Sequence, residues 1–203
     1  MNITKRKILS AASELFLAGG IAALSVRSIA KEAGVSTIGI YSHFNGKEGI
    51  LDELYIQGFE LVMQAIQFEQ EKLTAKQILL KAIKGYFAMA EAHEGHYRLI
   101  FGESDSRYAP SDEAKAVAET AFGTLIKVTA LLLPQDANLA LKQKNALEIW
   151  AFLHGYVSLK HHAVASVFQT PNWYSLAEEA LAMHIDAILA KYAVPLTLND
   201  KPL

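Results

Sequence analysis

The sequence has no cysteine, which excludes disulfides, thiolate metal sites and a cysteine nucleophile. Any metal would have to be held by histidines and carboxylates. No uninterrupted apolar run of about 18 residues occurs, and the N-terminus, MNITKRKIL, lacks the apolar core of roughly 7 to 15 residues that a secretion signal requires. A cytoplasmic protein with no membrane partner is expected. Nucleotide and hydrolase fingerprints are also missing. Gly46-Lys47 resembles the end of a phosphate-binding loop, but the preceding glycine, Gly39, is too far away and Glu48 stands where Ser or Thr is needed. There is no G-x-S-x-G elbow and no G-x-G-x-x-G turn, so neither catalysis nor a cofactor is expected.

What is present is a chain of 203 residues with 52% hydrophobic content, enough to bury a full core in one or two domains. The formal charge of −2 hides an asymmetry: residues 1–50 hold six Lys/Arg against three acids, and the remaining 153 hold 13 against 18. A polyanion partner is therefore expected at the N-terminal fifty residues, and the acidic remainder limits indiscriminate nucleic-acid binding.

The basic part contains SVRSIAKEAGVSTIGIYSHF, residues 25–44. It reads as two short helices around a tight turn at Ala33-Gly34-Val35, with Gly34 able to take positive φ. Ser25 and Ser36 are placed to cap the two helices. Leu24 with Ile29, and Val35 with Ile40, occupy the positions of hydrophobic staples. The spacing predicts Val26, Ile29, Ala30 and Ala33 as the buried face of one helix and Ile40 and Phe44 as that of the next. Thr37, Ile38, Gly39, Tyr41, Ser42 and His43 are left outside, where they suit a helix lying in the major groove of double-stranded DNA. Thr37 has a hydroxyl and a methyl to offer a base, Ile38 offers only apolar contact, and Gly39 permits close approach of backbone. Tyr41, His43 and Lys47 lie where phosphate donors are needed. Lys5, Arg6 and Lys7 form a charge run that is either solvated or a phosphate or minor-groove contact.

Residues 6–54, including IAKEAGVSTIGIYSHFNGKE, resemble the DNA-binding domain of the TetR family of bacterial repressors without a gap. The resemblance implies Ser25 and Arg27 as phosphate contacts at the start of the second helix. Thr37, Ile38 and Gly39 become base-facing positions behind the Ser36 cap, and Tyr41, His43 and Lys47 phosphate contacts. It also implies a small-molecule effector bound in the second domain, and a DNA operator.

Outside this stretch, helices are expected at about 4–18, 46–72, 75–93, 96–102, 111–133, 137–165 and 173–193. They are broken at Glu94-Gly95, between Ser104 and Pro110, and at Pro134 and Pro171. Asn45 is read as the start of the fourth helix, with Glu48 completing its capping pattern. An all-α protein of about nine helices follows, with a helix-turn-helix domain at residues 1–46 and a ligand-binding and dimerisation domain at residues 47–203. The segment Ile149 to Leu153 is apolar all round, which a helix tolerates only when it is covered on more than one side. A homodimer is expected through the last two helices, with Leu176, Ala180, Ile185, Ile188 and Leu189 on the final one. WAFLHGYVSL also resembles the WHG-type C-terminal domain of some TetR-like regulators.

Tyr86, Met89, Tyr97, Phe101, Phe122, Ile126, Trp150 and His154 are the candidate effector-pocket residues, although aromatics at helical spacing also form plain core. His154, His161 and His162 stand 7 and 8 residues apart instead of at the i, i+4 spacing that aims two imidazoles at one ion, so no metal site is expected. The reading is a ligand-responsive repressor that binds a palindromic operator as a dimer. The alternative is an all-α small-molecule-binding protein or enzyme that retains a helix-turn-helix.

Overall fold

The computed structural model describes residues 2–67, 73–101, 108–162 and 172–192, together with Ala165 and Val167. Among these residues there are nine α-helices and no strand. They are α1 (Ile3–Gly19), α2 (Val26–Ala33), α3 (Thr37–Phe44), α4 (Lys47–Ile66), α5 (Ala75–Ala92), α6 (Glu94–Phe101), α7 (Asp112–Thr129), α8 (Leu139–His161) and α9 (Trp173–Tyr192). The all-α reading holds. Helix ends differ where local chemistry intervenes. α4 stops at Ile66 with Gln67 outside it, and the rest of its expected extension lies outside the described residues. α8 begins at Leu139 because extended Asn138 accepts the Leu141 N–H at 2.9 Å.

The chain forms two compact units, Met1–Ile66 with Gly85–Thr124 and Gln67–Lys84 with Leu125–Leu203. In the first, α1 to α4 close around Ile8, Phe16, Ile29, Ile40, Ile50 and Leu54, and Leu99 of α6 joins the same core. Burying each such side chain stabilises the unit by roughly 1.5–3 kcal/mol. Four glycines set how closely its helices approach, among them Gly85, whose Cβ would lie 2.2 Å from the Ala65 carbonyl oxygen. A Cβ on Gly49 would lie 1.7 Å from the Phe44 carbonyl oxygen, one on Gly58 2.7 Å from Ile100 Cγ2, and one on Gly95 2.5 Å from Ser13 Oγ. α4 therefore crosses the end of α3 in backbone contact, and α6 is wedged against both α1 and α4. Asp52 of α4 ties the start of α7 into this unit: its carboxylate accepts the Tyr108 hydroxyl at 2.8 Å and the Ser111 N–H at 3.1 Å. Burial, then this carboxylate, push the Tyr108 phenol above its ordinary range.

The second unit is organised by α8 and α9, which bury Ile149, Leu153 and Val157 against Ala177, Leu181, Ile185 and Ile188. Buried Asn145 donates to the Thr129 carbonyl at 2.9 Å, which satisfies a polar pair away from water. Two of the expected interface positions are corrected here. Ile185 is 0% and Ile188 6% exposed, so both belong to the core of the chain itself. The large apolar side chains of this pair that stand in solvent are Leu139, Leu147, Phe152, Leu159, Leu176 and Met183.

Candidate nucleic-acid interface

The helix-turn-helix is built by caps before it is built by packing. Ser25 and Ser28 form a reciprocal box: the Ser28 N–H donates to Ser25 Oγ at 3.0 Å, and the Ser25 N–H donates to Ser28 Oγ at 2.9 Å. The Ser28 hydroxyl also donates to the Ala23 carbonyl at 2.9 Å, tying α2 to the turn before it. Sequence reasoning found Ser25 and missed Ser28, since serine in place of Glu or Gln at that position is a weaker signal. At the other end of α2, Gly34 lies at φ 65°, and the Gly34 and Val35 N–H groups return to the Lys31 and Ala30 carbonyls. That double closure reverses the chain in the space of one residue.

α3 opens with Ser36, whose hydroxyl accepts the Gly39 N–H at 3.0 Å, and is anchored by Ile40 and Phe44 at 0% and 7% exposure. Its other side faces solvent: Thr37, Ile38, Tyr41 and Ser42 are exposed, and Ile38 is 78% so. An isoleucine held this far out on a capped, buried-backed helix contributes nothing to the fold. The Ser42 hydroxyl turns back on the helix, donating to the Gly39 carbonyl at 3.0 Å. His43 is half-buried and meets Phe44 edge to face, while Ser25 and Arg27 are exposed at the start of α2.

The junction after α3 departs from expectation. Asn45 does not cap α4; it takes the left-handed conformation at φ 53° and closes α3, its N–H donating to the Tyr41 carbonyl. Gly46 follows at φ 96°, and α4 starts at Lys47. Two successive left-handed residues turn the chain sharply enough for Gly49 to reach Phe44. Lys47 then does something the sequence did not foretell. Its ammonium donates to the Ile21 carbonyl at 3.0 Å, bracing the head of α4 on the turn after α1. Lys47 and Tyr41 line one cleft of about 550 Å³, with Ile21, Val26, Leu51 and Tyr108 behind them. An ammonium has three donors, so two remain beyond the bond to Ile21. Lys5 lies beside the same helix, its ammonium 5.4 Å from the centre of the Phe44 ring.

The candidate effector residues fall into two groups. Tyr86, Met89, Tyr97, Phe101 and Phe122 belong to the first compact unit, and Ile126, Trp150 and His154 to the second. Within the first unit, Phe59 stacks edge-on with Phe101 at 5.6 Å and lies 6.2 Å from Phe122. Tyr97 meets Phe101 at 5.1 Å and Tyr86 at 5.9 Å. Phe59 and its neighbour Tyr55 are not among the sequence candidates, and the ring contacts put them at the hub of this aromatic set. In the second unit Trp150 and His154 lie 5.8 Å apart, and burial lowers the imidazole's basicity. Among the described residues, no group of three or more histidines and carboxylates is placed to hold a metal, and no helix is long and apolar enough to cross a membrane.

Residues 8–54 match the model of bacterial regulatory proteins of the tetR family, and residues 79–186 that of a tetracyclin repressor-like C-terminal domain. The chain belongs to the TetR family. Among curated relatives, it is 31% identical over 107 residues to the uncharacterized HTH-type transcriptional regulator YerO of Bacillus subtilis (strain 168), covering 51% of this chain and 37% of that one. It is 42% identical over 48 residues to the HTH-type transcriptional regulator SrpR of Pseudomonas putida, covering 24% and 22%. The matched stretch thus spans well under half the length of these relatives. Solved structures cover far more at lower identity. A bacterial regulatory protein in the tetR family from Rhodococcus RHA1 superimposes with a TM-score of 0.70 at 20% identity, over 95% of this chain and 98% of that one. The TetR family transcriptional regulator PfmR from Thermus thermophilus gives 0.63 at 19% identity, over 90% and 97%. These show a shared fold. The C-terminal family match contains the 150–159 segment on which the WHG resemblance rested.

Proposed function

We propose that this TetR-family chain is a cytoplasmic transcriptional repressor that binds a palindromic DNA operator as a homodimer and is released by a small-molecule effector. The observation that carries the DNA-binding reading is the exposed side of α3. Ile38 stands 78% exposed on a helix whose opposite face is fully buried and whose start is capped by Ser36. Thr37, Ile38 and Gly39 meet base edges, while Ser25, Arg27, Tyr41, His43 and Lys47 hold phosphates and fix register. Ser36 and Ser42 act mainly on the helix itself, through their bonds to the two backbone groups of Gly39.

Dimerisation is supported by the large apolar side chains that α8 and α9 leave in solvent, among them Leu147 60%, Leu176 47% and Met183 68% exposed. A second copy covers them, and the two-fold axis then demands two half-sites. The effector acts by differential binding to two arrangements of the helices. α6 offers the transmission path, because at Gly58 and Gly95 it has no slack against α4 and α1, so moving it displaces the helices that carry α3. The aromatic set around Phe59, and Trp150 with His154, are the candidate effector contacts. The test is selection of duplex DNA from a randomised pool by the full-length chain, followed by a titration at moderate salt. Retention of DNA without any sequence preference would overturn the regulator reading.

A further inference from the structure

We infer that Gly39 determines sequence specificity, and that together with Ile38 it reads the C5-methyl group of a thymine in the major groove. The inference rests on the DNA-binding reading above and adds the chemical group that is recognised. Several other glycines in the described residues are demanded by the fold. Gly34 and Gly46 lie at φ 65° and 96°, and a Cβ on Gly49, Gly58, Gly85 or Gly95 would come within 1.7, 2.7, 2.2 and 2.5 Å of another atom. Gly39 is different. It lies inside α3 and is absent from the positive-φ residues; a Cβ there would meet Ser36 Oγ at 3.5 Å and Val35 Cβ at 3.9 Å, ordinary contact distances. Alanine would fit and would favour the helix. The missing side chain therefore serves nothing inside the chain. Gly123 and Gly155 are as roomy, but they belong to α7 and α8 and not to the recognition helix.

What fills the gap follows from what Gly39 has left to offer. Its N–H is held by Ser36 Oγ and its carbonyl accepts the Ser42 hydroxyl, each at 3.0 Å. Both backbone groups are engaged, so the exposed surface at this position is the Cα and its hydrogens. Ile38 beside it is a side chain with no polar atom. Gly39 is half-buried, and the side chain it lacks leaves room beside Ile38 for the one apolar group that base pairs display in the major groove, the thymine methyl.

The experiment uses the full-length chain and the DNA it selects from a randomised pool, with each thymine replaced in turn by deoxyuracil, which removes only the methyl. For the wild type, one thymine per half-site should stand out, its replacement weakening binding about four-fold, the equivalent of about 0.8 kcal/mol for one buried carbon. Gly39→Ala should bind the thymine form about ten-fold more weakly and lose all sensitivity to deoxyuracil at that position. It should respond as the wild type does at every other thymine, and should melt about 2 °C higher. Identical deoxyuracil profiles for the two proteins would overturn the assignment. So would a lower melting temperature for Gly39→Ala, because the glycine would then be required by the fold. A pool that yields no preferred sequence overturns the DNA-binding reading itself, and is distinguishable from the other two outcomes because the substitution plays no part in it.

Discussion

The α2–α3 pair and the α8–α9 pair treat their apolar side chains in opposite ways. On α2 and α3 the exposed large apolar residues are two, Ile38 and Tyr41, each standing among hydroxyls on a helix whose back is closed. On α8 and α9 they are Leu139, Leu147, Phe152, Leu159, Leu176 and Met183, spread along both helices. Isolated apolar side chains on a capped, rigid surface suit a polar partner that offers an occasional methyl. Large apolar side chains repeated along two helices suit a surface of their own kind, because water is expelled from them over a large area. The first pair closes its apolar face almost completely, and the second leaves large apolar side chains in solvent.

The sharpest way to break this comparison is to put a charge among these exposed side chains. Met183→Glu should leave the chain helical, since Met183 is 68% exposed, yet give monomers in sedimentation and lower operator affinity by about 10²–10⁴ through loss of the second half-site contact. Ile188→Glu should unfold the second unit instead, because Ile188 is only 6% exposed. A Met183→Glu dimer as tight as the wild type would remove the case for this interface.

Next in size is Gly49→Ala. Its Cβ would collide with the Phe44 carbonyl oxygen at 1.7 Å, a backbone atom that no rotamer change can clear. We expect a loss of about 2–3 kcal/mol in denaturant unfolding, and weaker DNA binding because the crossing of α3 and α4 is displaced. Unchanged stability would mean that the two helices are not packed as described.

Within the recognition surface, Thr37 and Lys47 should fail differently. Thr37→Ala should flatten preference at one or two positions per half-site, at about 1–3 kcal/mol for each position read, with the salt dependence intact. Lys47→Ala should weaken all sequences alike and reduce the slope of log affinity against log salt by about 0.9 per lost contact, so about 2 in a dimer. It should also cost about 1 kcal/mol of stability, since the ammonium bonds the Ile21 carbonyl at 3.0 Å. A combined selection and salt titration on both variants separates the roles, and an exchange of the two patterns would refute this docking of α3.

The effect that is smallest at neutral pH is a pH slope in the first unit. His96 is lowered to about 4 by burial and then by His93, and its buried Nε2 has no hydrogen-bond partner. Between that value and the ordinary histidine range the unfolded chain binds a proton that the folded chain refuses. Stability from this group is therefore full above about pH 6.5 and falls as the pH drops toward 4, on the order of 1 kcal/mol per pH unit. His96→Phe should flatten that part of the profile, and an unchanged slope would assign it to other groups.

The local build of the helix-turn-helix was largely legible beforehand. Ser25, Gly34 and Ser36 act through partners within a few residues, and Ile40 and Phe44 stand one helical turn apart, so each leaves a fixed spacing in the chain. Asn45 was misread for a related reason. A cap signal before a helix looks the same when the residue, at φ 53°, is closing the helix before it. The effector candidates were legible only as aromatics at helical spacing, a pattern that cannot say which rings meet. That Phe59 lies at the hub needed the positions of α4, α6 and α7 together.

The sequence by itself determined the helix-turn-helix, the all-helical architecture and the sign of the charge near α3, because capping, periodicity and net charge are local or additive. Tertiary structure alone decided that Lys47 braces Ile21, that Asp52 receives both Tyr108 and Ser111, that Gly49 touches Phe44, and that Ile185 and Ile188 face inward while Met183 faces out. Each of these depends on how one helix is rotated and placed against another. α9 carries apolar side chains around most of its circumference, so no periodicity marks the buried face and only the packing against α8 selects it.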